Sequence, residues 1–321
     1  MIQEYNNKPI YKAYFGENSV VLNVGGSSGT PKINLQQIGL KFIYSTITEI
    51  PEWADWEGIT NMENMFQDCS NLTTIPLIDT SKVTTMSDMF SSCTSLTTIP
   101  QLDTSKVTNM YGMFYNCNNL TTIPQLDTSK VTSMGSMFYY CQNLASIPQL
   151  DTSKVTSMER MFYTCSKLTT IPQLDTSKVI SMISMFNNCT SLTTIPQLDT
   201  SKVTSMYGMF GKCTSLVSVP PLRADVLNDN SGLMGSDLTA LTDFGGLINL
   251  KYSITGSYGF QRCPNLSYQS CINILNGLYD FTGNGETPTS NQGKLKVHSN
   301  FLSLVGDELS IGTNKGWTIT A

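Results

Sequence analysis

A cysteine recurs at Cys69, Cys93, Cys117, Cys141, Cys165, Cys189 and Cys213, each 24 residues after the last. Phenylalanine keeps the same step from Phe66 to Phe210, and proline from Pro76 to Pro220. One unit reads Leu-Thr-Thr-Ile-Pro-Gln-Leu-Asp-Thr-Ser-Lys-Val-Thr-x-Met-x-x-Met-Phe-x-x-Cys-x-x. A fixed period of this size means a stack of coils. A single coil buries too little apolar surface to offset the entropy of ordering its backbone. Neighbouring coils must cover each other's faces and supply ladder hydrogen bonds, so stability belongs to the array.

Within a unit, Leu120-Thr-Thr-Ile123 reads as a short strand that Pro124 ends. Met110, Met113, Phe114 and Cys117 fall at i, i+3, i+4 and i+7, the stripe of a short helix. Val107 shares that phase, so Val-Thr-x-Met reads either as a second short strand or as the first helical turn. Asp103-Thr-Ser-Lys106 has turn chemistry, its carboxylate placed to accept backbone N–H bonds. The expected architecture is an α/β repeat solenoid, with short parallel strands on one face and short helical turns on the other.

The run Val-Thr-x-Met-x-x-Met-Phe-x-x-Cys-x-x-Leu-x-x-Ile resembles the BspA-like leucine-rich repeats, in the branch rich in Asp-Thr-Ser-x-Val-Thr-x-Met. The resemblance covers residues 46–220 closely and 259–266 more loosely. It implies a right-handed leucine-rich-repeat coil and a non-enzymatic role in surface recognition or adhesion.

The sequence divides into four parts: 1–45, a small β segment with a Gly/Ser link; 46–221, the regular solenoid; 222–266, degenerate repeats; and 267–321, an α/β cap. Two strands are expected around Gly16-Glu-Asn, and residues 25–31 read as a flexible link. Ile10-Tyr-Lys-Ala-Tyr-Phe-Gly16 is similar to short segments at the start of bacteriophage tail and virion proteins. Cys263 lies 50 residues after Cys213, which predicts two irregular coils between them. The last part should supply a helix from Cys271, a strand at 294–298, a helix near 299–310 and a closing Trp317-Thr-Ile-Thr. No secretory h-region follows Met1, and no apolar run is long enough to insert in a membrane.

Charged residues are 13% of the chain and the net charge is −5, which argues against gripping a nucleic-acid backbone. The single histidine, His298, has no nucleophile or carboxylate placed to form a triad. The cysteines occupy the apolar stripe and read as small buried hydrophobes. Asp79 and its five equivalents occur in every regular coil, so they read as turn caps, with Lys82 and its equivalents offsetting them. Glu159-Arg160 reads as a surface pair. No catalytic residue, metal ligand or cofactor is expected.

Variation concentrates at the outward positions of the Met-x-x-Met-Phe stretch. Tyr111, Tyr115, Tyr139, Tyr140, Tyr163 and Tyr207 stand there among Gly, Asn and Thr. Tyr111 and Tyr115 are four apart and share a face, and equivalent positions in stacked coils are about 5 Å apart if the ladder is strand-like. A tyrosine patch with small polar neighbours is recognition chemistry. The leading expectation is a bacteriophage virion fibre or decoration that binds a host surface protein or glycan. Residues 1–45 would dock it to other virion proteins in a homo-oligomeric or symmetric assembly. The alternative is a bacterial cell-surface adhesin of the BspA-like kind.

Overall fold

The computed structural model describes residues 42, 47–50, 54–228, 237–254 and 259–321, together with the backbone of four short strands that precede them. Those strands open the chain. β1 (Gln3–Tyr5), β2 (Lys8–Phe15) and β3 (Asn18–Asn23) form an antiparallel meander, with Ile10 opposite Asn23 and Phe15 opposite Asn18. The two strands expected around Gly16 are therefore present. The Gly/Ser link at 25–31 lies outside the described residues. β4 (Ile33–Asn34) pairs in parallel with β5 (Ala54–Asp55).

From residue 61 onward the chain winds in coils. Parallel bridges run Asn61, Thr85, Asn109, Ser133, Ser157, Ser181 and Ser205, one residue from each coil. Thr108 N–H donates back to Thr84 O at 2.9 Å, and Met110 N–H donates forward to Ser133 O at 3.0 Å. The Val-Thr-x-Met stretch is thus strand-like and pairs for only one residue per coil. An Asp corner precedes it. Ser105 N–H donates to Asp103 Oδ1 at 3.0 Å, and Val107 N–H closes the turn on Thr104 O at 2.9 Å.

The Met-Phe-Cys side departs from the helical turns that its spacing predicts. Met113, Tyr115 and Cys117 donate within the coil to Met110, Gly112 and Phe114, each closing a β-turn. The alternate residues Gly112, Phe114 and Asn116 donate instead to Gly135, Met137 and Tyr139 of the next coil. A helix would spend every one of those N–H groups on its own carbonyls. Gly112 and Asn116 sit at φ +59°, and their equivalents in the other regular coils are also left-handed. Consecutive turns with a left-handed residue every fourth position bring i, i+3, i+4 and i+7 to one side, as a helix does. The apolar stripe is identical; the hydrogen bonding is not.

The Leu-Thr-Thr-Ile face is also looser than a strand. It makes sparse inter-coil bonds, such as Thr121 N–H to Thr97 O at 3.1 Å and Thr193 N–H to Thr169 O at 3.2 Å. The proline that follows each Ile removes the next donor.

Between the faces lies one dry interior. Phe66, Phe90, Phe114, Phe138, Phe162, Phe186 and Phe210 are fully buried. Their rings stack at 5.5–5.8 Å between successive coils. Phe42 continues the column at 5.6 Å from Phe66, and Trp56 lies against both. Each rung from Phe90 to Phe186 also buries two methionines, Val, Cys, two Leu and Ile.

Past the regular array, β6 (Ser218–Val219) pairs with β8 (Asp243–Phe244), and β7 (Leu222–Arg223) with β9 (Leu247–Ile248), all parallel. The Thr193 row continues through Val217 and Thr242 to Ser267 by backbone bonds of 2.9, 3.1 and 2.8 Å. Two longer coils therefore fill this stretch, as the cysteine spacing predicts.

Helix α1 (Tyr268–Asn276) then closes the stack, its Ser267 side chain capping the Ser270 N–H and its Cys271, Ile274 and Leu275 facing inward. Lys315 Nζ reaches the carbonyls of Leu275, Asn276 and Leu278 at 3.4, 2.7 and 3.2 Å, a cation at the negative end of that helix. β10 (Lys294–Lys296) pairs in parallel with β11 (Thr318–Thr320). Helix α2 (Ser299–Val305), a 3-10 turn (Gly306–Leu309) and helix α3 (Ser310–Thr313) lie between them in the chain. Trp317 is buried here, with its indole N–H on Tyr279 O at 2.9 Å.

Candidate recognition surface

The turn side positions the tyrosines. Successive coils hold Tyr115, Tyr139 and Tyr163 in one register, since each is the residue after a stacked Phe. Their rings stack at 4.5 Å (Tyr115 on Tyr139) and 4.8 Å (Tyr139 on Tyr163), nearly parallel. Tyr140 sits at φ +61°, and this turn swings its ring against Tyr139 at 4.9 Å and Tyr163 at 5.8 Å. The structure thus gathers Tyr115, Tyr139, Tyr140 and Tyr163 into one half-buried cluster. Burial first, then the adjacent phenols of Tyr115 and Tyr163, pushes the Tyr139 phenol up to about 12.

Tyr111 and Tyr207 occupy a second register, four coils apart, and neither enters the ring stack. Tyr111 is 45% exposed and its ring lies over Gly135, where a Cβ would meet it at 3.2 Å. Between the two stand Gly135, Glu159 and Ile183, so this register carries no continuous aromatic row.

The remaining singled-out residues have structural partners. All nine cysteines are buried and outside any disulfide. Each ladder thiol donates to a phenylalanine carbonyl of the preceding coil, as Cys141 does to Phe114 O at 3.0 Å. Burial pushes up the thiols from Cys93 to Cys213, the last to about 12, and likewise that of Cys263 outside the ladder, to about 12. The row Asp79, Asp103, Asp127, Asp151, Asp175 and Asp199 caps six turns. Hydrogen bonds from the serine two residues on, hydroxyl first and backbone N–H second, hold these carboxyls below the usual carboxylate range. Glu159 and Arg160 form an exposed pair at 3.6 Å. His298 caps helix α2, its Nδ1 accepting the Asn300 N–H at 3.1 Å. Among the described residues no three His, Cys, Asp or Glu converge as metal ligands, and no helix is long and apolar enough to cross a membrane.

A second feature is one that the repeat pattern does not announce. Gln101, Gln125, Gln149, Gln173 and Gln197 form an exposed rank, two residues before the Asp rank. Between the two ranks lie two open stretches of trough, about 1050 Å³ along the Gln149–Asp199 rows and about 750 Å³ along the Leu77–Asp127 rows. The signal lay in the glutamine's constancy, and in its replacement by Leu77 and Pro221 at the two ends of the rank.

These observations define the class: a leucine-rich-repeat-like solenoid with two side-chain ranks on one face and a tyrosine cluster on another. Residues 40–147 and 143–220 match the family described as "Mycoplasma protein of unknown function, DUF285", and the chain belongs to that family. No curated protein matches significantly. Similar solved structures include a leucine rich cell surface protein from Faecalibacterium prausnitzii A2-165. It is 19% identical, with 100% of this chain and 94% of that one covered and a TM-score of 0.44. A leucine-rich repeat protein from Eubacterium ventriosum is 18% identical, with 70% and 80% covered and a TM-score of 0.32. The Leucine Rich Repeat protein of T. pallidum is 20% identical, with 54% and 67% covered and a TM-score of 0.29.

Proposed function

We propose that the chain is a non-enzymatic recognition module displayed at a bacterial cell surface, with the tyrosine cluster contacting a protein on a host surface. The observation that carries this reading is the stack of Tyr115, Tyr139 and Tyr163 with Tyr140 beside it. Packed in a column, these rings have little side-chain entropy left to lose, and they offer phenol hydroxyls and apolar edges together. Interfaces draw much of their energy from such rigid aromatic anchors. The exposed Glu159–Arg160 pair beside them carries no net charge, so short-range fit decides the partner more than long-range steering.

The family's description names a bacterium, in favour of a bacterial protein over a bacteriophage one. A virion fibre docked through residues 1–45 is the narrower alternative. Several copies on one surface would raise avidity through multivalency, whichever assembly presents them.

The test is Tyr115→Ser, Tyr139→Ser and Tyr163→Ser together, with binding of the labelled protein to epithelial cells read by flow cytometry. A rise of at least about tenfold in the half-saturating concentration, with an unchanged circular dichroism spectrum, supports the reading. Full binding by the folded triple variant refutes it.

A further inference from the structure

The trough between the glutamine and aspartate ranks has a chemistry of its own. Each glutamine amide spends both its hydrogens on the backbone. Gln125 Nε2 donates to Leu126 O at 3.1 Å and to Gln149 O of the next coil at 2.7 Å. Gln101, Gln149, Gln173 and Gln197 repeat the pair, the last reaching Pro221 O at 2.7 Å. With its donors engaged, an amide has only its carbonyl oxygen to offer. Opposite stand the carboxylates, each ionised at neutral pH and with one oxygen already held by a serine N–H. The walls of the trough are therefore hydrogen-bond acceptors, repeated once per coil.

A second observation points to an occupant. Thr152, Thr176 and Thr200 use their buried hydroxyls to donate to the next coil's carbonyl at 2.8–2.9 Å. Thr80 and Thr104 line the trough at 2% and 1% exposure, and their hydroxyl oxygens have no partner. A buried hydroxyl left without a partner calls for one. At the ends of the rank the polar walls give way to apolar side chains, Leu77 at 80% exposure and Ile248 at 40%.

We infer that this trough binds a linear, uncharged, β-1,4-linked polysaccharide laid along the solenoid axis. Such a chain brings hydroxyl donors on both edges to the two ranks of acceptors. Its extended form advances by about 5 Å per sugar, close to the coil spacing of roughly 4.8 Å. Successive sugars are turned over, so a hydroxyl-bearing edge, alternately one and the other, faces the Gln–Asp pair of each coil. Sugar faces are apolar and suit the exposed Leu77 and Ile248. A lysine rank, Lys82 and its equivalents, lies three residues beyond the aspartates and offsets their charge, which disfavours a polycationic occupant. The site is separate from the tyrosine cluster and stands whether or not that cluster binds a protein.

The experiment uses the full chain with cellohexaose, cellotriose, maltohexaose and hexalysine as probes, measured by isothermal titration calorimetry. Expected are binding of cellohexaose at least about tenfold tighter than cellotriose, and weaker binding of the curled α-linked maltohexaose. Replacing Gln125, Gln149 and Gln173 by alanine should cost at least about tenfold. Because those amides also tie coils together, Asp127→Asn, Asp151→Asn and Asp175→Asn form the second variant. It keeps each turn's acceptor but brings a donor into the wall, and should lose at least about threefold. The tyrosine triple variant should bind cellohexaose as the parent does. No cellohexaose binding by the folded parent, preference for hexalysine, or equal affinity for three and six sugars overturns the inference.

Discussion

Replacing Phe138 by alanine attacks the centre of the aromatic column. The ring is fully buried and stacks on Phe114 and Phe162, both at 5.7 Å. Removing a buried phenylalanine costs about 3–5 kcal/mol in transfer and cavity terms. Each ring pair adds about 0.5–1.5 kcal/mol beyond area. Two pairs are lost, so the sum is roughly 4–8 kcal/mol. Phe138→Leu refills most of the space and forfeits chiefly the two stacks, about 1–3 kcal/mol. Urea unfolding followed by circular dichroism yields both values by linear extrapolation. A central lesion also uncouples the coils on either side, so the alanine variant should unfold over a broader range with a smaller slope. If alanine costs less than about 2 kcal/mol, the rings are not holding a close-packed interior. If leucine matches the parent, the stacking adds nothing.

Three further outcomes follow from the same geometry. Ellman's reagent at pH 8 should leave all nine thiols unreacted in the folded protein and titrate all of them in denaturant; rapid reaction of any ladder cysteine in the native state would contradict their burial. Arg160 is held at φ +55° with an exposed side chain, so Arg160→Gly should relieve about 0.5–1 kcal/mol of backbone strain and raise the melting temperature, and a lower one refutes the strain. The aspartate carboxyls titrate below their ordinary value of 3.8 in the folded chain, so their contribution is complete above that pH and lost as pH falls through the lowered values. Asp→Asn in all six rows should flatten stability against pH below about 4, and an unchanged acid limb would exclude these turns as its source.

Much of this was legible in the sequence because the repeat does the same thing every time. Burial of Met110, Met113, Phe114 and Cys117 followed from spacing alone, and so did the Asp103 corner. What spacing cannot give is the direction of a backbone N–H. Gly112 and Asn116 take left-handed turns and send hydrogen bonds to the next coil, yet they leave the stripe where a helix would put it. The tyrosine stack was readable for Tyr115, Tyr139 and Tyr163 because they share a register, whereas Tyr111 and Tyr207 are separated by three unlike residues. The glutamine rank stayed hidden for a different reason: its amides bond to carbonyls a full repeat away, and nothing local shows that an outward side chain has already used its donors.

Backbone bonds that run from coil to coil make each unit interchangeable with its neighbours. Cutting out one 24-residue segment, say 125–148, would bring Gln149 into the place of Gln125 and close every ladder again. Gain or loss of a whole unit at the gene level therefore alters the molecule's length without a misfit at the seam. Variants of this protein could then differ in reach by integral steps, much as rulers cut from one stock differ only in the number of their divisions.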